Sequence, residues 1–270
     1  MKNTILLLSV LALAGACKRD TANTVSQQSE GTSASPVMLA GYWIAMDFCS
    51  RANQYGSVLG AMNNAHVPYA YAFEFDPNRR DSVICYNGFE KWTLPVVFNK
   101  DTIEAKGAGP GGKSIFMMYQ SQGNKEISLF DGTTGTMKLD RFVKSKADVT
   151  NGYAAFTAAL NHNLFGGIML PLGSRDTILF APDGFILKWN TYDRYDVCTG
   201  GDCFVAEEAI DVITLSKYEK PGTEKIFGFR YNGTNDTLTF YNLVNTKPNE
   251  KFAYEIKGPA FKFRRVPPKF

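Results

Sequence analysis

The chain of 270 residues carries 29 Lys and Arg against 26 Asp and Glu, a net charge of +3 without any basic block, which argues against nucleic acid as a partner. Hydrophobic residues make up 44% and aromatic ones 13%, enough apolar surface for one large domain or two small ones. Twenty Phe and 13 Tyr lean the composition towards β structure.

At the N-terminus, Met1-Lys2-Asn3-Thr4 brings one positive charge, residues 5–13 form a short apolar run, and Ala14-Gly15-Ala16 places small residues directly before Cys17. That order is a secretory leader, too short for a membrane span, which needs about 20 apolar residues. A cysteine at the cleavage point resembles the lipobox of bacterial lipoproteins, with Ala14 standing where leucine is commonest. The resemblance implies a signal peptide over 1–16 and a Cys17 thiol carrying diacylglycerol. It also implies an acylated amine and anchorage to the bacterial outer membrane, on its periplasmic or surface face. Several acyl chains together hold a protein stably on a membrane. The competing reading is plain secretion with an incidental cysteine. Lys18-Arg19-Asp20 loosely resembles the surface-export signals of some Gram-negative lipoproteins. Residues 17–37, rich in Ser, Thr and Gln, read as the lipidated end and a disordered tether.

From Gly41 onward the apolar period is mostly two. It predicts strands over 69–75, 82–85, 94–98, 114–119, 126–130 and 136–143, with a helix over 50–63 capped by Ser50. Asp76-Pro-Asn-Arg, Asn87-Gly, Gln122-Gly-Asn and Asp131-Gly mark the turns. The second half repeats this grammar: a helix over 156–161, then strands over 177–180, 185–192, 210–216, 225–231, 237–243 and 252–266, the last broken at Gly258-Pro259. Short matches run through both halves in the same order. Ala61-Met-Asn-Asn64 pairs with Ala159-Leu-Asn-His162, and Asn87-Gly-Phe-Glu-Lys-Trp92 with Asp183-Gly-Phe-Ile-Leu-Lys-Trp189. Lys113-Ser-Ile-Phe116 pairs with Glu224-Lys-Ile-Phe227, and Met137-Lys-Leu-Asp-Arg141 with Phe261-Lys-Phe-Arg-Arg265. The expected organisation is an all-β, antiparallel body of two related halves, 38–146 and 147–270, each with a short helix.

Gly41-Tyr42-Trp43 opens the first strand, a helical segment follows, and Arg141 lies on the last strand of that half. This resembles the G-x-W and late-strand arginine of lipocalins and their calycin relatives. The resemblance implies an eight-stranded antiparallel barrel over about 39–144, Trp43 packed across its closed end near Arg141, and a small apolar or amphiphilic ligand. A β-sandwich or one larger β domain is the competing architecture.

Cys49, Cys85, Cys198 and Cys203 remain after Cys17, an even number that favours disulfides in an exported chain. Cys198-Thr-Gly-Gly-Asp-Cys203 is a tight glycine-bearing loop suited to a staple; Cys49 and Cys85 then form the other pair by elimination, although sequence alone does not fix connectivity.

Gly107-Ala-Gly-Pro-Gly-Gly-Lys113-Ser114 matches a P-loop by letter. A P-loop needs a helix after it, and Ile115-Phe-Met-Met-Tyr119 reads as a strand, so no nucleotide is expected. The two histidines, His66 and His162, follow helix candidates and belong to no triad or zinc pattern. Asp193, Asp196, Asp202, Glu207, Glu208 and Asp211 crowd the cysteine loop; a solvated hairpin flank explains them better than a glycosidase pair or a calcium site. Asp before Thr21, Ser82, Thr102, Thr177 and Thr237 resembles an acceptor motif for bacterial O-glycosylation, although a turn ending in Asp before a strand gives the same letters. The sequence therefore assigns no catalytic residue, no metal and no cofactor. It points to non-enzymatic binding or an envelope-structural role, with a carboxylate-dependent glycan hydrolase or a partner-binding adhesin as alternatives.

Cys17→Ala should lower the intact mass by the acyl groups and move the protein out of the membrane fraction. An unchanged mass and partition would show that Cys17 carries no lipid.

Overall fold

The computed structural model describes residues 34–64, 67–88, 90–121, 123, 125–131, 138–200, 210–232, 236–247, 249 and 254–266. They fall within one compact unit, Thr32–Phe270. Ser35 caps a single-turn helix, α1 (Pro36–Leu39), by accepting the Met38 N–H at 3.3 Å. Strand β1 (Gly41–Ala45) leads into helices α2 (Met46–Tyr55) and α3 (Val58–Asn64). There follow β2 (Ala72–Phe75), β3 (Ser82–Tyr86), β4 (Lys91–Pro95), β5 (Val97–Asn99), β6 (Thr102–Ala105), β7 (Ile115–Gln120), β8 (Glu126–Asp131) and β9 (Lys138–Lys144). Their order in the sheet is β4-β3-β2-β1-β9-β8-β7-β6-β5. The two edges, β4 and β5, are consecutive in the chain and separated only by Val96, whose N–H donates to Asp81 O at 2.8 Å. One segment thus pairs with β3 before Val96 and with β6 after it, and the sheet curls into a nearly closed barrel.

The second half is a simpler meander. Helix α4 (Gly152–Phe165) precedes β10 (Gly167–Pro171), β11 (Ile178–Phe180), β12 (Ile186–Leu187), β13 (Arg194–Val197), β14 (Asp211–Lys217), β15 (Lys220–Asn232), β16 (Thr237–Asn245) and β17 (Tyr254–Val266). The order is β12-β11-β10-β17-β16-β15-β14-β13. The edges meet at a bridge between Phe185 and Arg194, where Ile186 N–H donates to Asp193 O and Tyr195 N–H to Gly184 O, both at 2.8 Å.

Both interiors are packed with rings, as an eight-stranded barrel allows. In the first, Trp43, Phe73, Phe75 and Phe142 are fully buried, and the Trp43 ring meets Phe75 and Tyr119 edge-on at 6.5 and 6.0 Å. In the second, Phe180 contacts Tyr195, Phe240 and Phe263 at 5.3–6.1 Å, and Trp189 meets Phe261 and Phe263 at 4.9 and 5.3 Å.

Helix α4 joins the barrels. Its apolar residues are spread around the helix and not confined to one face, so it buries on more than one side. Phe156 stacks on Tyr71 at 4.3 Å with planes 8° apart and touches Phe48 at 6.0 Å. At the other end, Phe165 enters the second barrel against Phe180 and Phe229, at 5.8 and 5.3 Å. Arg265 donates from Nη2 to Leu164 O at 2.6 Å, a cation where the helix C-terminus favours one.

The all-β, antiparallel, two-barrel expectation holds, and several details differ. The helix expected from Ser50 begins at Met46, and the Ser50 hydroxyl donates back to Met46 O at 2.9 Å instead of capping. It breaks at Gly56, left-handed at φ 60°, so two helices stand where one was expected. The strand expected over 185–192 is only Ile186–Leu187, because the chain turns at Lys188 with φ 64°. The expected break at Gly258-Pro259 is a register irregularity in a continuous β17. Of the internal matches, the pair at Lys113 and Glu224 falls at the sixth strand of each meander, counting β4 and β5 as one, and the pair ending at Arg141 and Arg265 at the last. The other two do not superpose: α3 follows its barrel's first strand whereas α4 precedes its own, and the hairpins at Asn87 and Asp183 are one strand out of step. A better correspondence was missed, since Gly41 and Gly167 both open a first strand with φ of 113° and 119°.

Phe156→Ala removes a ring that both halves use. It should cost about 3–5 kcal/mol in equilibrium urea unfolding, with the transition still single because the halves share one core.

Candidate functional site

The strands turn apolar side chains outward as well as inward beside α4. Ile44 on β1 and Val143 on β9 are cross-strand partners on the outer face of the first barrel. Facing them, Ala155, Ala158, Ala159 and His162 repeat at i, i+3, i+4 and i+7, one stripe of α4. The short side chains leave space between helix and sheet unfilled. A groove of about 520 Å³ results, completed by Met46, by Lys144, Ser145, Lys146 and Ala147 from the β9–α4 connection, and by Pro182 from the second barrel. Its wall is mainly apolar, with Lys144, Lys146 and His162 as its basic groups. Pockets of this size at the junction of two units suit a small ligand, with the polar groups setting its orientation.

Several expected positions play other parts. Trp43 is inside the first barrel and donates its indole N–H to Leu39 O at 2.7 Å. It does not pack on Arg141. Trp43 pairs with Lys144 and Ala45 with Phe142, so alternation along β9 turns Arg141 to the opposite face. There Arg141 bonds Asp47 at 2.9 Å and Glu126 at 3.3 Å, and those carboxylates raise its pKa. Gly41 is the left-handed opening of β1.

Cys49 and Cys85 are free buried thiols, not a pair. Cys49 is on α2, which packs on β9 and α4, whereas Cys85 is on β3, flanked by β2 and β4. Burial pushes both thiols up. The expected Cys198–Cys203 staple turns on Cys203, which lies outside the described residues, as do Cys17, Thr21 and His66. Ser82, Thr102 and Thr237 each begin a strand and Thr177 directly precedes one. The P-loop-like stretch is a turn over Pro110–Gly112 that leads into β7, with the Ser114 hydroxyl donating to Glu104 at 2.7 Å.

The acidic residues around the cysteine loop do not converge where described; Asp202, Glu207 and Glu208 lie outside the described residues. Asp193 accepts the Tyr218 N–H at 2.6 Å as a turn cap. Asp196 alternates with the buried Tyr195 and Val197 and so faces out of the barrel, whereas Asp211 continues the buried row of Ile213 and Leu215. Asp211 accepts the Leu59 N–H at 2.9 Å, capping α3 from a strand of the other barrel. Burial raises its carboxyl, and hydrogen bonds from Ser57, Leu59 and Val58 partly oppose that. Among the described residues no group of three His, Cys, Asp or Glu could hold a metal ion, and no helix is long and apolar enough to cross a membrane.

The chain matches no family model, no curated protein and no solved structure in the three comparisons made. Its class therefore rests on the architecture: tandem, ring-filled antiparallel barrels fused through one apolar helix.

A raised carboxyl means that the folded protein binds the Asp211 proton more tightly than the unfolded chain does. That stabilisation is complete below the unfolded value, about 3.9, and disappears as pH rises through the folded value. Subtracting Asp211→Asn from wild type across urea titrations at successive pH values should expose this decline; a flat difference would show that Asp211 does not titrate with folding.

Proposed function

We propose that this is a lipid-anchored, non-enzymatic protein of the bacterial outer membrane that binds an anionic amphiphile in the groove between α4 and the first barrel. The observation that carries the reading is the pairing of an alanine-floored apolar trough with Lys144 and Lys146 beside it. The trough takes an acyl chain and the ammonium groups take a carboxylate or phosphate head. Rings fill the interiors of both barrels, which supports a site outside them and not the interior cavity that the lipocalin resemblance implies. The leader and Cys17 supply the address. Residues 34–37, expected to belong to the tether, are instead part of the folded body, with Ala34 buried and Pro36–Leu39 forming α1.

Photo-crosslinking of the full chain in membranes with a diazirine-bearing fatty acid tests this. Label should concentrate on peptides from β9 and α4, and Ala158→Trp, which fills the trough, should reduce it roughly fivefold or more. Lys146→Glu should weaken labelling by the acid but not by the matching alcohol. Label spread evenly over the surface, or undiminished in Ala158→Trp, would overturn the assignment.

A further inference from the structure

A second groove, of about 440 Å³, lies along a different stripe of α4, and its chemistry is the reverse of the first. Its helical lining is Thr157 and Asn161, one turn apart. Asn161 is 1% exposed and spends its Nδ2 on Pro182 O at 3.0 Å, which fixes the amide and leaves Oδ1 as a buried acceptor without a partner. Thr157 Oγ1 is likewise buried and unpartnered. Leaving such groups unpaired keeps the full cost of their desolvation, so the pair is expensive unless something else supplies donors.

The opposite wall is the outward row of β13 and β14, where Asp196 faces Thr214 and Arg194 faces Ser216. Arg194 is held in place: its guanidinium carbon lies 3.7 Å from the Phe185 ring centre and 4.8 Å from that of Tyr218, and Nη1 donates to Asp183 O at 3.3 Å. Tyr218, 64% exposed, stands at the rim with Lys217 and Glu224. At Gly184 the groove needs a residue without a side chain, since φ is 85° and a Cβ would come within 2.9 Å of Tyr195 O.

We infer that this groove is a binding site for a neutral saccharide. Donors and acceptors alternate around it, and a hydroxyl can satisfy both, donating to Asn161 Oδ1, Asp196 and Glu224 while accepting from Arg194 and Lys217. A polyanion would meet the carboxylates and a polyamine would meet Arg194 and Lys217. The exposed Tyr218 face suits the C–H face of a pyranose ring. This site shares no lining residue with the amphiphile groove, and either can fail alone.

Saturation-transfer NMR on the full chain, in a detergent without a sugar headgroup, tests it with methyl glucoside, methyl mannoside, methyl galactoside and dextran. At least one should give a saturable signal; saturation by dextran alone would assign a polymer, and saturation by a methyl glycoside a free sugar. Tyr218→Ala should weaken binding roughly tenfold while lowering the melting temperature little, since that ring is mostly exposed and its contacts with Arg194 and Phe185 lie at the surface. Asn161→Leu should abolish binding. No saturable signal from any of these probes, signals unchanged in both variants, or displacement by spermidine or phosphate would overturn the inference.

Discussion

Helix α4 is the constraint on which the rest depends. A helix with apolar residues on more than one side cannot lie on one sheet with its back in water, and two turns of it would expose Phe, Leu and Ala if either barrel were removed. The chain meets this by stacking Phe156 on Tyr71 beside Phe48 in the first half and driving Phe165 into the second. What could have been two beads on a string is therefore one compact unit with a shared core. The Asp211 cap on α3 and the Tyr71 hydroxyl donating to Thr199 O at 2.7 Å are polar bolts across the same seam.

Filling the interiors leaves the open space outside the barrels. The rings inside each barrel touch their neighbours, so apolar burial there serves stability. Wherever α4 is not pressed flat on a sheet, its side chains set what the remaining space can hold. The alanine stripe leaves an apolar trough; the Thr157–Asn161 stripe, on the same helix, leaves a polar one. The turn at Pro182-Asp183-Gly184 divides them and is fastened to the helix by the Asn161 amide.

Period-two patterning revealed the sheets because most strands bury one face only. It missed β6, β10 and β13, which are four or five residues long and carry too few alternations to register. The helix from Met46 reads as starting at Ser50 because its true start has no side-chain cap. The G-x-W resemblance located the first strand and the barrel but misassigned Arg141, since the face of a strand residue depends on register against a partner distant in sequence. Cys49 and Cys85 could not be judged for the same reason. The grooves were invisible in the sequence: their walls come from α4 and from strands of separate hairpins, and alanines and an asparagine in a helix carry no motif.

The two barrels also show how one meander tolerates different chemistry where the helices meet it. In the first, Arg51 from α2 reaches Asp140, whose side chain is fully buried, at 3.8 Å. In the second, Phe165 and the Arg265 bond to Leu164 O bring α4 onto the strands. A buried ion pair contributes little net stability compared with apolar packing, because desolvation of both charges offsets their attraction. Removing either partner alone is the costly change, so a pair of this kind specifies where its helix docks more than it strengthens the fold. The first barrel needs that specification, because α2 and α3 interrupt it between β1 and β2. The second does not, because α4 enters before its first strand and is already fixed by the first barrel.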